Sequence, residues 1–294
     1  MRMPARLAAV ALAVFALFLV SPARSADTKD SGASPHMVKP LRVLLVLGGC
    51  CHDYANQKDI LAKGLAARAN VECTIAYDPR TDKDKLNPVY EKQDWAKGYD
   101  VVLHDECTSG VVDLKIIDRV LEPHKNGLPG VVLHCGMHSY RSDGWPKSTP
   151  WFEFTGLVTT GHGPKLPIAV RYTDKQSPIV KGMEDWTTIN EEHYNNAAGK
   201  LNDTAHELAR GKQTIPARKT KKQETPQVTN DFVVVWTNEY GDKKAKVFAT
   251  TLGHENKTVS DDRYLDLVTR GLLWACGKLD DNGKPMPGYG PKAK

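Results

Sequence analysis

The sequence predicts a doubly wound α/β domain, on three observations. Runs of consecutive apolar residues recur at 41–47, 99–104 and 129–135. Stretches with helical apolar spacing lie between them. The runs are continuous rather than alternating, as in parallel strands covered on both faces.

Each element can be justified in chain order. "LRVLLVL" at 41–47 reads as the first strand, "NQKDILAKGLAARA" at 56–69 as a crossover helix, and "VECTIAY" at 71–77 as the next strand. "YDVVLH" at 99–104, "VVDLKIIDRVLEPHK" at 111–125 and "PGVVLHC" at 129–135 repeat the strand–helix–strand unit. Residues 202–228, with "RGKQTIPARKTKKQETPQ", carry many lysines and few apolar residues, and are expected to form a surface loop. "FVVVWTNEY" and "KVFATTLG" read as a hairpin joined at "GDKK", and "YLDLVTRGLLWACGK" at 264–278 as a closing amphipathic helix. No internal repeat is visible.

The ends differ in kind. Arg2 and Arg6 precede an apolar run at 7–20, and "SPARSA" supplies small residues for cleavage, so residues 1–25 read as an export signal. The run is short of the about 20 residues that a membrane span needs. A periplasmic or secreted protein is therefore expected, with no membrane association after cleavage. Residues 26–39 read as a flexible leader, 40–279 as the folded domain and 280–294 as a flexible tail. Arg2, Arg6 and Arg24 leave with the signal, so the mature chain is nearer neutral than the formal +5, and nothing calls for nucleic acid. The six cysteines are scattered, without a CxxC pair, and are expected to be buried thiols rather than a disulfide scaffold or a zinc ribbon.

In a doubly wound sheet, ligands bind beyond the carboxyl ends of the strands. His52 follows the first strand through "GGCC", His138 and Ser139 follow another through Gly136, and His254 follows "VFATTLG". His162 sits in "TGHGP", and Glu191, Glu192, His193, Tyr194 and Asn195 form a polar run. A lone loop histidine is usually structural, and Asp53 can simply cap the next helix. His104 and His134, placed on strands, read as core histidines. The functional reading rests on convergence of several histidines at one sheet edge.

"GGCCHDY", "GMHSYR", "TGHGP", "NEEHYNN" and the segment from "VVVWTNEY" to "LLWACGK" resemble the ThuA-like, trehalose-utilisation family across roughly 41–278. The resemblance implies a flavodoxin-like, three-layer, mostly parallel sheet with a C-terminal hairpin and helix, similar to class I glutamine amidotransferases. Those enzymes carry a nucleophilic cysteine on a G-x-C-x-G elbow. Here "GMHSY" puts His138 at that position and leaves Cys135 on the strand, so glutaminase chemistry is not expected. The implied substrate is a sugar or a 3-keto-glycoside, handled by a hydrolase, lyase or isomerase. A non-catalytic carbohydrate- or partner-binding module is the alternative.

The expected catalytic set is His52, His138, His254 and Glu192. Asp53, Ser139, Tyr140, Tyr194 and Asn195 would contact a small carbohydrate. His52, His138, His162 and His254 would hold a divalent metal, zinc in the first place, since several neutral imidazoles can ligate where several imidazolium ions would repel. Trp145, Trp151 and Tyr140 could offer a stacking face, although Trp151 suits the core equally. No G-x-G-x-x-G follows the first strand, so neither a nicotinamide nor a flavin cofactor is expected.

Overall fold

The computed structural model describes residues 38–220 and 223–292. The expected signal segment and the leader up to residue 37 lie outside the described residues.

The first half follows the predicted alternation. Strand β1 (Leu41–Gly49), helix α1 (Tyr54–Ala66), β2 (Val71–Asp78), β3 (Val101–Cys107), α2 (Leu114–Lys125) and β4 (Gly130–Leu133) form the doubly wound part. β1 pairs in parallel with both β2 and β3, and β3 with β4. The continuous apolar runs have a direct cause. Val43, Leu45 and Leu47 pack on one face with Leu61 and Leu65 of α1, while Leu44 and Val46 pack on the other with Ile117, Val120 and Leu121 of α2. Burying one such side chain is worth about 1.5–3 kcal/mol, so both faces of β1 favour the three-layer arrangement.

Helix α3 (Pro150–Thr155) covers the α2 face, and the chain then enters a short ribbon. β5 (His162–Leu166), β6 (Ala169–Tyr172), β7 (Trp186–Thr187) and β8 (Glu191–Tyr194) follow in order. β5 and β8 pair with each other as a separate two-stranded sheet, whereas β6 and β7 join the main one.

Residues 202–228 differ from the expected loop. β9 (Ala205–Ile215) pairs antiparallel with β12 (Val228–Tyr240), and only a small β10 (Arg218–Lys219) to β11 (Glu224–Thr225) hairpin projects between them. The strand was disguised. Its inward positions include Gly211 and Gln213 beside Leu208 and Ala209, and Arg210 and Lys212 lie toward the other side. β13 (Ala245–Thr250) closes the predicted hairpin with β12 and also pairs in parallel with β4. The main sheet thus runs β2-β1-β3-β4-β13-β12-β9-β6-β7 among the described residues. Its parallel part is the predicted wound sheet, and antiparallel strands extend it.

A short α4 (Asn256–Val259) leads to α5 (Asp262–Ala275), the predicted closing helix, packed on the α1 face through Leu265, Leu267 and Leu272. The composition-based expectation of a flexible tail from 280 is corrected for residues 280–292. Asn70 donates its backbone N–H to the Tyr289 carbonyl at 3.0 Å and its side-chain amide to that of Gly288 at 2.9 Å. Among the described residues, no helix is long and apolar enough to cross a membrane.

Candidate functional site

The carboxyl ends of β1, β3, β4 and β13 open into a cleft of about 510 Å³ whose other wall is the β5–β8 ribbon. The sequence "GGCCH" makes the first turn possible. Gly48 and Gly49 have φ of 138° and 95°, and a Cβ on either would collide with the carbonyl of Asp78 or Cys107. Cys50 and Cys51 form a disulfide between neighbours in the chain, with Cys51 at φ 82°. This corrects the expectation that all six cysteines are thiols. The turn delivers His52 into the cleft.

The structure places His52 and His254 together, as expected, and adds His134. Their ring centroids are 4.8 Å apart for His52 and His134, 4.6 Å for His52 and His254, and 5.2 Å for His134 and His254. One ligand atom from each lies within 4.8 Å of the others. His134 was expected on a strand, but β4 ends at Leu133 and His134 takes φ 38°. That left-handed step swings its ring toward the cleft. It also makes His134, rather than His138, the residue at the strained turn, and puts Cys135 beyond the strand, lining the cleft.

Hydrogen bonds fix the tautomer of His134. Its Nδ1 lies 2.6 Å from the Thr251 carbonyl, which can only accept, so Nδ1 carries the hydrogen and Nε2 keeps a lone pair. Nε2 faces His254 Nδ1 at 3.2 Å and the Tyr194 hydroxyl at 3.2 Å. Burial, then the neighbouring His52, holds the His134 pKa well below the usual imidazole value. Burial pushes the Tyr194 phenol well above its ordinary value, so it remains a donor. Neither buried ring nitrogen of His52 has an oxygen or nitrogen partner, and its polar neighbour is the Cys107 thiol.

The two carboxylates of β8 behave differently because the strand alternates. Glu192 Oε2 faces the cleft, 3.2 Å from His254 Nδ1, 3.4 Å from His162 Nδ1 and 3.9 Å from His134 Nε2. Burial alone would raise its pKa, but the hydrogen bond to His254 and the nearby imidazoles outweigh burial and hold it below the ordinary glutamate value. Glu191 is fully enclosed and accepts the backbone N–H groups of His254 at 2.9 Å and Gly253 at 3.3 Å. Burial raises it to about 7 in spite of those bonds.

Several expected residues have other work. His138 lines the cleft, but its Nε2 hydrogen-bonds Thr159 and its ring stacks flat on Tyr194 at 4.1 Å, apart from the histidine trio. Burial, then Arg141, lowers its pKa to about 3. His162 is 44% exposed at the rim. The proposed metal set is thus corrected: His134 enters the close group, and His138 and His162 stand outside it.

Of the residues expected to contact a sugar, Tyr194 lines the cleft, and the side chains of the others are engaged elsewhere. Asp53 is exposed and accepts from Asn56 and Asn256, both at 2.7 Å, tying α1 to α4. Ser139 donates to the Glu106 carbonyl at 2.6 Å and accepts the Thr108 N–H, so its hydroxyl is spent on the fold. Tyr140 is core, its hydroxyl donating to Glu106 at 2.9 Å. Asn195 accepts the N–H groups of Thr160 and Gly161, shaping the loop before His162. Trp151 is buried, while Trp145 is partly exposed beneath the Arg141 guanidinium.

Residues that the sequence did not single out complete the lining: Cys50, Cys51, Cys107, Ser109, Arg141, Thr160 and Lys165. Only "GGCC", visible as an odd turn, carried a signal for any of them.

These features can be set beside known proteins. A family model described as ThuA, trehalose utilisation, matches residues 42–275. A ThuA-like protein from Parabacteroides merdae ATCC 43184 superposes with a TM-score of 0.57 at 19% identity, over 87% of this chain and 98% of that one. One from Bacteroides uniformis ATCC 8492 gives 0.55 at 18% identity, over 90% and 98%. A glutamine amidotransferase from Thermotoga maritima gives 0.40 at 13% identity, over 72% and 75%. No curated protein matches the sequence.

Proposed function

The chain belongs to the ThuA, trehalose-utilisation family, and from that premise we propose that its cleft catalyses proton transfer on an oxidised sugar, a 3-keto-glycoside or a close relative. The observation that carries this reading is Glu192, its pKa held below the ordinary glutamate value, 3.2 Å from His254 of the close His52, His134 and His254 group.

A divalent metal, zinc in the first place, fits the donors. The 3.2 Å between His134 Nε2 and His254 Nδ1 matches the edge of a tetrahedron with bonds of about 2.0–2.1 Å, and His52 offers a free nitrogen beside them. The bond from His134 Nδ1–H to the Thr251 carbonyl is the usual outer support of a ligating histidine. His52, His134 and His254 would hold the ion, and bound there it would supply Lewis acidity at a keto oxygen.

The chain's own groups do the rest. A keto group acidifies the neighbouring C–H, and Glu192, held ionised, accepts that proton at Oε2. His162, whose Nδ1 lies 3.4 Å from the same oxygen, carries the proton onward, which allows either elimination of the glycosidic oxygen or rearrangement of the ketone. Tyr194 stays protonated, its hydroxyl 3.2 Å from His134 Nε2. Arg141 and Lys165 add cationic groups to the lining, Lys165 paired with Glu255 at 3.2 Å.

Two measurements test the proposal. The first is metal content of the mature protein purified without a metal-binding tag, where about one divalent ion per chain is expected. The second is turnover of 3-keto-glycosides by wild type and Glu192→Gln. Saturable sugar binding without turnover in the metal-loaded wild type would replace the enzyme by a binding module. Export belongs to the same proposal: N-terminal sequencing of protein recovered outside the cytoplasm should start near residue 26, and an intact Met1 end there would reject cleavage.

A further inference from the structure

The cleft holds a second group of reactive side chains that proton transfer does not use. Cys107 Sγ, at the end of β3, lies 3.6 Å from Cys50 Sγ and 2.6 Å from Cys135 Sγ. Cys50 is already joined to Cys51, which faces solvent, while Cys107 and Cys135 are buried. The four sulfurs therefore form a continuous file from the surface inward, with one disulfide at its outer end and two thiols at its inner end. Cys73 and Cys276, the other free thiols, take no part in it.

We propose that Cys50, Cys51, Cys107 and Cys135 form an intramolecular disulfide-exchange site, in which one disulfide passes between the Cys50–Cys51 turn and the buried Cys107–Cys135 pair. Sulfur in van der Waals contact with a disulfide, on a rigid strand end, has the proximity that exchange requires. In the first step the Cys107 thiolate attacks Cys50 Sγ. The Cys107–Cys50 bond forms, the Cys50–Cys51 bond breaks, and its electron pair leaves on Cys51, which takes up a proton. In the second step the Cys135 thiolate attacks Cys107 Sγ, the Cys107–Cys135 bond forms, and the pair leaves on Cys50, which is protonated in turn. Two thiols lose protons and two gain them, and one disulfide replaces another, so no outside oxidant or reductant is needed.

The exchange reaches the site already described. The Cys50–Cys51 bond spans the turn immediately before His52, with Cys51 in a left-handed conformation. Moving the bond inward releases that turn and the imidazole it carries.

The test is a disulfide map of the full chain, treated with EDTA and prepared anaerobically with one disulfide per chain by thiol titration after unfolding. After acid quench, alkylation and tryptic digestion, these four cysteines fall on three peptides, 43–58, 98–115 and 126–141, and Cys73 and Cys276 on two others. The expected map shows single-disulfide chains of two kinds, one with the bond inside 43–58 and one with 98–115 linked to 126–141. Cys135→Ser removes the second attacking sulfur, so a 43–58 to 98–115 link should accumulate several-fold over wild type. A bond found only inside 43–58 would overturn the proposal. So would a 98–115 to 126–141 link confined to chains with two disulfides, since that is oxidation and not exchange. Should Cys135→Ser fail to fold, the wild-type map decides alone.

Discussion

Two groups of histidines stand on the same sheet, and their fates differ. Below the cleft, His104 and His124 are enclosed with every ring nitrogen engaged. His104 Nδ1 lies 3.1 Å from Glu106, His104 Nε2 meets His124 Nε2 at 3.0 Å, and His124 Nδ1 meets the Leu128 carbonyl at 2.8 Å. Tyr90 and Tyr140 donate to the same Glu106 oxygen at 2.7 and 2.9 Å. At the cleft, His52 has no oxygen or nitrogen partner and His134 keeps a lone pair directed at His254. Both groups are rich in histidine, so abundance is not what separates them. Unspent nitrogen is: a closed network holds the core together, and an open one can take a ligand or a proton.

Substitutions should sharpen that contrast. His254→Ala, in the open group, is expected to lower turnover on the order of 10²–10⁴-fold and to abolish metal retention, while the chain still unfolds in one cooperative transition. Kinetics on a keto-glycoside with parallel metal analysis would show it, and unchanged turnover would erase the functional side of the comparison. His104→Ala, in the closed group, should act the opposite way, destabilising by about 3–5 kcal/mol in denaturant titration because buried Glu106 keeps only its two tyrosine donors and His124 Nε2 loses its partner. A loss below about 1 kcal/mol would mean that the two groups are not distinct.

A smaller effect separates the neighbouring carboxyls of β8. A carboxyl whose pKa is higher folded than unfolded binds its proton better in the folded chain. Glu191 therefore contributes stability that is complete below the ordinary glutamate value of about 4.3 and is lost as pH rises through about 7. Glu192, with its pKa depressed, contributes in the opposite sense: its share is present above the ordinary value and is lost as pH falls below it. Glu191→Gln should remove roughly 3 kcal/mol or less of pH-dependent stability between pH ~4.5 and ~7, read from melting curves across that range. An unaltered slope would count against the assigned burial effect. Asp53→Asn should matter least, within about 0.5 kcal/mol and without change in turnover, since Asp53 is exposed and contacts only Asn56 and Asn256 side chains beyond its own helix start.

The sequence made the parallel half legible because burial on both faces writes itself as unbroken Val and Leu, as in "LRVLLVL". β9 was hidden because Gly211 and Gln213 occupy inward positions that pattern reading expects to be apolar. The site was legible where a glycine turn precedes a histidine, at His52 and His254. It was misread at His134, where the outcome depended on β4 stopping one residue earlier and on a φ of 38° that no side-chain pattern encodes. Ser139 and Asn195 bind backbone groups and Tyr140 gives its hydroxyl to the Glu106 carboxylate, since position in a loop does not say which way a hydroxyl or amide is spent.

The β5–β8 ribbon has no backbone ladder to the main sheet, and Gln213 tethers it by donating to the carbonyls of Leu166 and Glu191, each at 3.1 Å. Its residues Glu192, His162 and Tyr194 travel together, while His52, His134 and His254 stay with the strand ends. The span between the carboxylate and the imidazoles is thus set by side chains, Gln213 on one side and Glu191 on the Gly253 and His254 N–H groups on the other, and by no rung of the large sheet. The carboxylate wall and the imidazole wall of the cleft are therefore separate parts of the fold, joined by side chains alone.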